Sequence, residues 1–372
     1  MWKSEVEEVE GTNVYEKGMK RCFDKPGTFP VVLMYENGEF LDQKISKKTG
    51  EYLQMHAGSA KNVSVALGGA PNCGKSTYMV TLSDTSNQNA IARGKYDFSL
   101  MNDEVEGSPC EQEYRTYLEN FKKKILPERT RYAGKLNSFH YYVKNGMEDA
   151  NLILFDASGE ECMRAGWDSQ ILHAKYFLYM IAADDLLACE KNGVSQYEQV
   201  LKEVISKKNI TSEDKDFEIL LVITKCDLLD RNNPYLKKAF ENSIAVKEER
   251  LEQITHKEGF DGQAFQEKSD AVEKYLADTC PKFLNNLKSL VPEGNLSFSI
   301  MATIGEECVD NTFQNYKPIN IDEPILYILA KEGLYPMARE ANGQEGEMIP
   351  SFLSSETIDK IKKLFLLNEE ED

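Results

Sequence analysis

From residue 63 onward, short runs rich in β-branched and aromatic residues alternate with helix-periodic segments, and this alternation constrains the fold more than any other feature. Two parallel strands can be joined only by a crossover of a dozen or more residues, usually a helix, so strand and helix in regular succession read as a parallel sheet. Strands are expected at 63–67, 136–143, 152–155, 176–182, 219–224 and 296–301. The fold expected is therefore α/β: a doubly wound, mostly parallel six-stranded sheet with helices on both faces. Between the strands, 197–207 places Val200, Leu201, Val204 and Ile205 on one helical face.

Around this unit the chain divides into three parts. Residues 1–61 form a small leading module, in which Asn37-Gly38 between two apolar runs is the signal for a two-residue hairpin turn. Residues 62–335 carry the sheet, with two connections too long to be simple loops, about 84–130 and 230–293. These are read as helical insertions suited to function or partner contacts. Asp322 can cap a helix over 323–332, with Pro324 in its first turn and Gly333 at its end. Residues 336–372 hold an amphipathic helix, with Ile358, Ile361, Leu364 and Phe365 on one stripe, and an acidic tail.

Asp and Glu number 62 against 44 Lys and Arg, a net charge of −18 that repels nucleic-acid phosphates and anionic lipid. No nucleic-acid partner is expected. The longest apolar run, 176–183, is far short of the ~20 residues of a membrane-crossing helix. With no apolar stretch behind Lys3 to serve as a secretory signal and Trp2 in place of the glycine needed for myristoylation, a cytoplasmic location is expected. Eight cysteines without a CxxC pair indicate neither a zinc site nor a disulfide framework.

Directly after the first core strand stands Gly69-Ala-Pro-Asn72-Cys73-Gly74-Lys75-Ser76-Thr77, which contains GxxxxGK[ST] in a strand–loop–helix context. Glycines at both ends let the backbone curl until successive N–H groups converge on phosphate oxygens, and the helix that follows adds its positive dipole end. Lys75 would bridge the terminal phosphates, and the Ser76 hydroxyl suits Mg²⁺. The motif implies a nucleoside triphosphate without saying which base.

Two further motifs follow in order. The strand at 152–155 ends in Asp156, with Gly159 three residues on and then Glu160. A carboxylate there can hold a Mg²⁺-bound water, and a glycine lets a backbone N–H meet the γ-phosphate. The later strand ends in Thr224-Lys225-Cys226-Asp227. Asp227 could accept two hydrogen bonds from guanine N1–H and its 2-amino group, donors that adenine lacks, with the Lys225 stem lying along the base. A site built on such paired bonds rejects a ligand lacking them by about 10⁴-fold or more.

Through Gly69–Ser76, Asp156–Gly159 and Thr224–Asp227 the chain resembles the Ras-like and translation-factor branch of P-loop GTPases, over about residues 63–335. A narrower likeness, carried by Leu126-Pro127-Glu128-Arg129-Thr130 and Asp322-Glu323-Pro324, is to the bacterial double-GTPase family of conflict systems. Thr224 stands where the family usually has asparagine, which leaves open how the loops are tied together. The resemblance implies a guanine contact from a backbone N–H in Met301-Ala302-Thr303, where Ala302 alone matches the usual triplet. It also implies a switch threonine that binds Mg²⁺ and the γ-phosphate, for which Thr130 is best placed and Thr116 is the alternative.

The residue after the DxxG motif, often a water-orienting glutamine in this family, is Glu160. Its carboxylate can accept a hydrogen bond from water but adds charge beside the γ-phosphate. The catalytic set is thus Lys75, Thr130, Gly159 and Glu160, and the Mg²⁺ set is Ser76, Thr130 and Asp156. Arg129 and Arg131 are read as surface residues rather than an internal arginine finger, and Cys73 and Cys226 as inert loop residues. The function expected is a GTP/GDP switch with slow Mg²⁺-dependent hydrolysis and a protein effector or regulator. The alternatives are an ATPase or nucleotide kinase, or a non-hydrolysing nucleotide-binding scaffold.

Overall fold

A computed structural model describes residues 14–15, 19–21, 31–36, 39–46, 52–54, 60–70, 72–84, 99–103, 109–127, 137–144, 149–156, 174–186, 196–208, 217–240, 260–292 and 294–335. The amphipathic stretch at 358–365 lies outside them. Near the amino terminus a five-stranded antiparallel sheet runs in the order of its strands: β1 (Val14–Tyr15), β2 (Met19–Arg21), β3 (Val31–Glu36), β4 (Glu39–Ser46) and β5 (Tyr52–Leu53). Glu36 of β3 stands opposite Glu39 of β4, and Asn37 and Gly38 of the expected hairpin turn lie outside the described residues.

The second sheet has seven strands where six were expected. They are β6 (Lys61–Gly69), β7 (Ser99–Asn102), β8 (Asn137–Lys144), β9 (Ala150–Asp156), β10 (Tyr176–Ala182), β11 (Glu218–Thr224) and β12 (Leu296–Ile300), in the order β12-β11-β10-β6-β9-β8-β7. The five strands from β12 to β9 are mutually parallel, while β8 and β7 add antiparallel. The sheet is mixed. The added strand, β7, lies inside the 84–130 connection and is short.

Helices cover both faces, and the period of two in the strands divides the core between them. On one face, Val63, Val65 and Leu67 of β6 and Leu178 and Met180 of β10 pack with Tyr78, Met79 and Leu82 of α1 (Lys75–Ser83). On the other, Phe177, Tyr179 and Ile181 meet Tyr197, Val200, Leu201 and Val204 of α3 (Gln196–Lys208), the face read from the sequence. Each such apolar side chain contributes about 1.5–3 kcal/mol on burial.

The described helices of the 230–293 connection join this core. After the short α4 (Leu236–Phe240), α5 (Gly262–Thr279) is capped by the Asp261 side chain, which accepts from Ala264 N at 2.9 Å. Val272, Tyr275 and Leu276 of α5, together with Phe283, Leu284 and Leu287 of α6 (Pro281–Leu290), are buried on the second face. They form part of the crossover from β11 to β12.

Helix α7 (Glu323–Lys331) is buried along its whole length and ends at Gly333, whose φ of +71° is left-handed. Asp322 precedes it but makes no side-chain cap bond. Its charged residues are paired at both ends: Glu323 with Lys268 at 3.3 Å, and Glu332 with both Lys61 and Lys175 at 2.6 Å.

Helix α2 (Pro109–Lys122), in the first long connection, is docked rather than free. Phe121 packs with Phe313 and Tyr316 and, through Val80, against α1. Leu126 N donates to Asn311 O at 2.8 Å and Phe313 N to Lys124 O at 3.1 Å, fixing the segment after α2 to the loop beyond β12.

Candidate functional site

The carboxyl ends of the parallel strands carry the backbone conformations that L-residues avoid, which is where open α/β sheets bind ligands. Gly69, the last residue of β6, has φ +141°, and a Cβ there would lie 2.1 Å from Met180 O. Any other residue would be strained and would clash with the neighbouring strand. Asn72 (φ 65°) and Gly74 (φ +94°) continue the curl, and Gly74 is the N-cap of α1. Asparagine is among the few non-glycine residues that visit this region routinely.

Lys75 begins α1 and is buried, with its ammonium donating to Gly69 O and Ala70 O at 3.1 Å each and standing 3.6 Å from Cys73 Sγ. The positive charge is therefore held inside the curl by carbonyl dipoles. Ser76 and Thr77, in the first turn of α1, are half-buried.

The second motif sits beside the first. Strand β9 pairs with β6 so that Asp156 is opposite Leu67, two residues before Gly69. Gly159 and Glu160 lie outside the described residues, as do Thr130, Arg129 and Arg131. Thr116 is placed: it lies within α2, exposed, and its hydroxyl donates to Gln112 O at 2.9 Å. Its hydrogen bond serves its own helix.

The third motif is joined directly to the first. Thr224, 2% exposed, donates its hydroxyl to Cys73 O at 2.6 Å. This bond ties the end of β11 to the curl after β6, across β10. Lys225 has a left-handed backbone (φ 52°), and Cys226 to Leu228 form a single 3₁₀ turn. Cys226 N donates to Met301 O at 3.1 Å, linking the turn to the end of β12. Asp227 is half-buried. Partial burial pushes its carboxyl above the ordinary range, opposed by its own backbone amide, Arg231 and Lys225, and reinforced by Asp184.

Ala302 also reaches this end of the sheet, but its amide has a partner in the chain. Its N–H donates to Ile319 O at 3.0 Å and its carbonyl accepts from Ile319 N at 2.8 Å. A contact from this amide to a base would first have to break that bridge.

Cys73 and Cys226 are both buried, and burial pushes the Cys226 thiol well up, which disfavours the reactive thiolate. Among the described residues no cluster of His, Cys, Asp or Glu could hold a metal ion, and no helix is long and apolar enough to cross a membrane.

One pair of residues was not singled out from the sequence. Asp184 and Asp185 follow β10 after Ala183, between the two motif-bearing strands β6 and β11. Asp184 accepts from Lys225 Nζ at 3.1 and 3.3 Å, and Asp185 accepts from Tyr197 OH at 2.6 Å. The signal that selected Asp156, a carboxylate at the carboxyl end of an apolar strand, was present here too.

Residues 63–280 match the family model described as double-GTPase 2. No curated protein matches the chain.

Proposed function

The chain belongs to the double-GTPase 2 family, a GTP-binding class, and on that footing we propose that it is a guanine-nucleotide switch with slow Mg²⁺-dependent GTP hydrolysis. The observation that carries this reading is the bond from Thr224 to Cys73 O at 2.6 Å, which holds the base-reading turn against the phosphate curl. A nucleotide's base and phosphates can lie only a limited distance apart, so loops that read its two ends must be held near one another, which such a tie does.

In this reading Gly69, Asn72, Cys73, Gly74 and Thr77 supply the curl and its amides, and the helix end of α1 adds its dipole. The Lys75 ammonium would exchange the carbonyls of Gly69 and Ala70 for phosphate oxygens, a stronger charge-assisted bond. Asp227 reads guanine, Lys225 lies along it, and an amide at Ala302 would contact the base only on giving up Ile319. Ser76, Asp156 and Thr130 would hold Mg²⁺, which when bound neutralises charge on the terminal phosphates. The hydroxyl of Ser76 on the first turn of α1 and the placement of Asp156 beside β6 fit that role.

Gly159 would meet the γ-phosphate, and Glu160 would orient water for in-line attack. With a carboxylate in place of the usual glutamine, turnover of the order of 10⁻² s⁻¹ or below is expected. The nucleotide-dependent change is assigned to the 84–130 connection and the segment after Gly159. We read residues 62–335 as the GTPase domain, with 1–61 and 336–372 as appendages, a cytoplasmic setting and a protein effector. The P-loop GTPase arrangement of the sheet is part of the same proposal.

The test is a panel of fluorescent GDP, GTP, ADP and ATP derivatives, with and without Mg²⁺, against wild type and Asp227→Asn. Guanine selectivity that is lost in the variant supports the reading. Equal binding of adenine nucleotides by wild type would indicate an ATPase or kinase, and tight binding without turnover a scaffold.

A further inference from the structure

Resting on the guanine-binding reading, we propose that Asp184 is a positioning residue of the base site, holding the Lys225 side chain where its stem forms the shelf on which the purine lies. Three features of the geometry point to it. Asp184 is two residues past the end of β10, and Ala182 of β10 is in register with Thr224 of β11, so Asp184 and Lys225 leave neighbouring strands side by side. The backbone of Lys225 is left-handed at φ 52°, an orientation disfavoured for an L-residue, so its direction is imposed by the fold. Both oxygens of Asp184 then meet the one ammonium, at 3.1 and 3.3 Å.

The pair is too exposed to matter much to the stability of the fold: the side chains of Lys225 and Asp184 are 38% and 51% exposed. What it fixes is the course of a four-carbon chain that would otherwise sample many rotamers. Ordering that chain before the nucleotide arrives removes an entropic cost from binding.

Asp184 has a second effect. Among the described residues, the charged and titratable groups around Asp227 are Lys225 and Cys226 beside it, Arg231 just past its turn, Asp184 from the end of β10 and Cys308 from the loop beyond β12. Asp184 is the acidic one among them and favours protonation of Asp227, whereas Lys225 and Arg231 favour the carboxylate. Reading guanine requires the carboxylate. Binding should therefore weaken, as pH falls, at a higher pH than an ordinary aspartate would give, and removing the Asp184 charge should move that limb to lower pH.

The experiment is fluorescent GDP binding, with its dissociation rate, by wild type, Asp184→Asn and Asp184→Glu over pH 4–8, each with a thermal melt. At pH 7.5 Asp184→Asn should bind about 3- to 5-fold more weakly through faster dissociation, with Asp184→Glu recovering most of the loss. The acid limb of Asp184→Asn should lie below that of wild type. Wild-type affinity and an unmoved limb in a folded Asp184→Asn protein would overturn the proposal. So would a folded Asp184→Glu protein that recovers none of the affinity lost in Asp184→Asn. Absence of GDP binding by wild type would instead defeat the guanine reading, and this proposal with it.

Discussion

At the amino ends of β6, β10 and β11, buried and half-buried charges are neutralised by one another, whereas at the carboxyl ends of the same strands polar groups converge on a loop. Lys61 opens β6, Lys175 immediately precedes β10, and both grip Glu332, which also accepts from Tyr176 OH at 2.6 Å. Glu218 opens β11 and takes Lys331 and the Tyr327 hydroxyl. At the other end, four residues of left-handed or positive φ, Gly69, Asn72, Gly74 and Lys225, bend the main chain, and the buried Lys75 rests on carbonyl oxygens. One edge spends its charges on holding α7 in place. The other accepts a left-handed backbone, met by glycine at 69 and 74 and held against an L-residue's preference at Lys225, where a binding site would need it.

The difference is open to attack from both sides. At the carboxyl edge Lys75→Ala should lower affinity for fluorescent GDP by more than about 100-fold, the loss of charge-assisted bonds to phosphate, while leaving the thermal midpoint within a few degrees of wild type. A variant that binds normally would show that the curl is merely a helix cap. At the amino edge Glu332→Gln should do the reverse, costing about 2–3 kcal/mol in urea denaturation with GDP affinity intact.

The pH dependence of that loss has a definite sign. Burial pushes the Glu332 carboxyl up, but the Lys175 ammonium and hydrogen bonds from Lys175, Lys61 and Tyr176 outweigh it and hold the group at about 2. A carboxyl depressed in the folded state stabilises fully above the ordinary glutamate value of about 4.3 and loses that contribution as pH falls through its folded value. Wild type should therefore lose its advantage over Glu332→Gln between pH 4 and 2, and stability curves that stay parallel across that interval would remove Glu332 from the account.

How far the sequence foretold these edges depends on what kind of contact was at stake. Strand β10 was delimited to the residue, 176–182, since every one of its side chains is buried and the apolar run has no interruption. Strand β7 was missed: four residues joined antiparallel to β8, too short a run to show a period. In helix α5 the buried face, Phe265, Val272, Tyr275 and Leu276, is threaded through charged residues on the solvent side, so its packing is hard to read from the sequence. The three motifs were legible because each is local in sequence. The bond from Thr224 to Cys73 spans 151 positions, and the pair of Lys225 with Asp184 spans 41; such contacts exist only after β6, β10 and β11 have aligned. The same holds for the amino edge, where Glu332 and Lys61 carry no mark that sets them apart from other surface charges.

The tie between loops gives a smaller effect that sharpens the contrast. Thr224→Val keeps the shape and removes the hydroxyl, leaving Cys73 O without that donor at a cost of about 1–1.5 kcal/mol. If the tie serves the ligand, most of this should appear as roughly 10-fold faster release of fluorescent GDP, and Thr224→Asn should restore slow release. If instead the whole cost falls on urea stability and release is unchanged, the bond belongs with the structural charges of the amino edge.

The smallest effect tests whether burial or charge pairing is what separates the edges. Lys238 and Glu267 approach at 2.8 Å, about as close as Lys175 and Glu332, but their side chains are 60% and 49% exposed. Glu267 is held below the usual carboxylate range by its hydrogen bond from Lys238, so by that sign alone the pair would be counted as stabilising. Water already solvates both groups, and the ordering of two long side chains offsets most of the attraction. Lys238→Ala should accordingly change the urea midpoint by less than the equivalent of about 0.5 kcal/mol. A loss as large as that of Glu332→Gln would mean that pairing by itself stabilises this protein, and the amino edge would then owe nothing to its burial beneath α7.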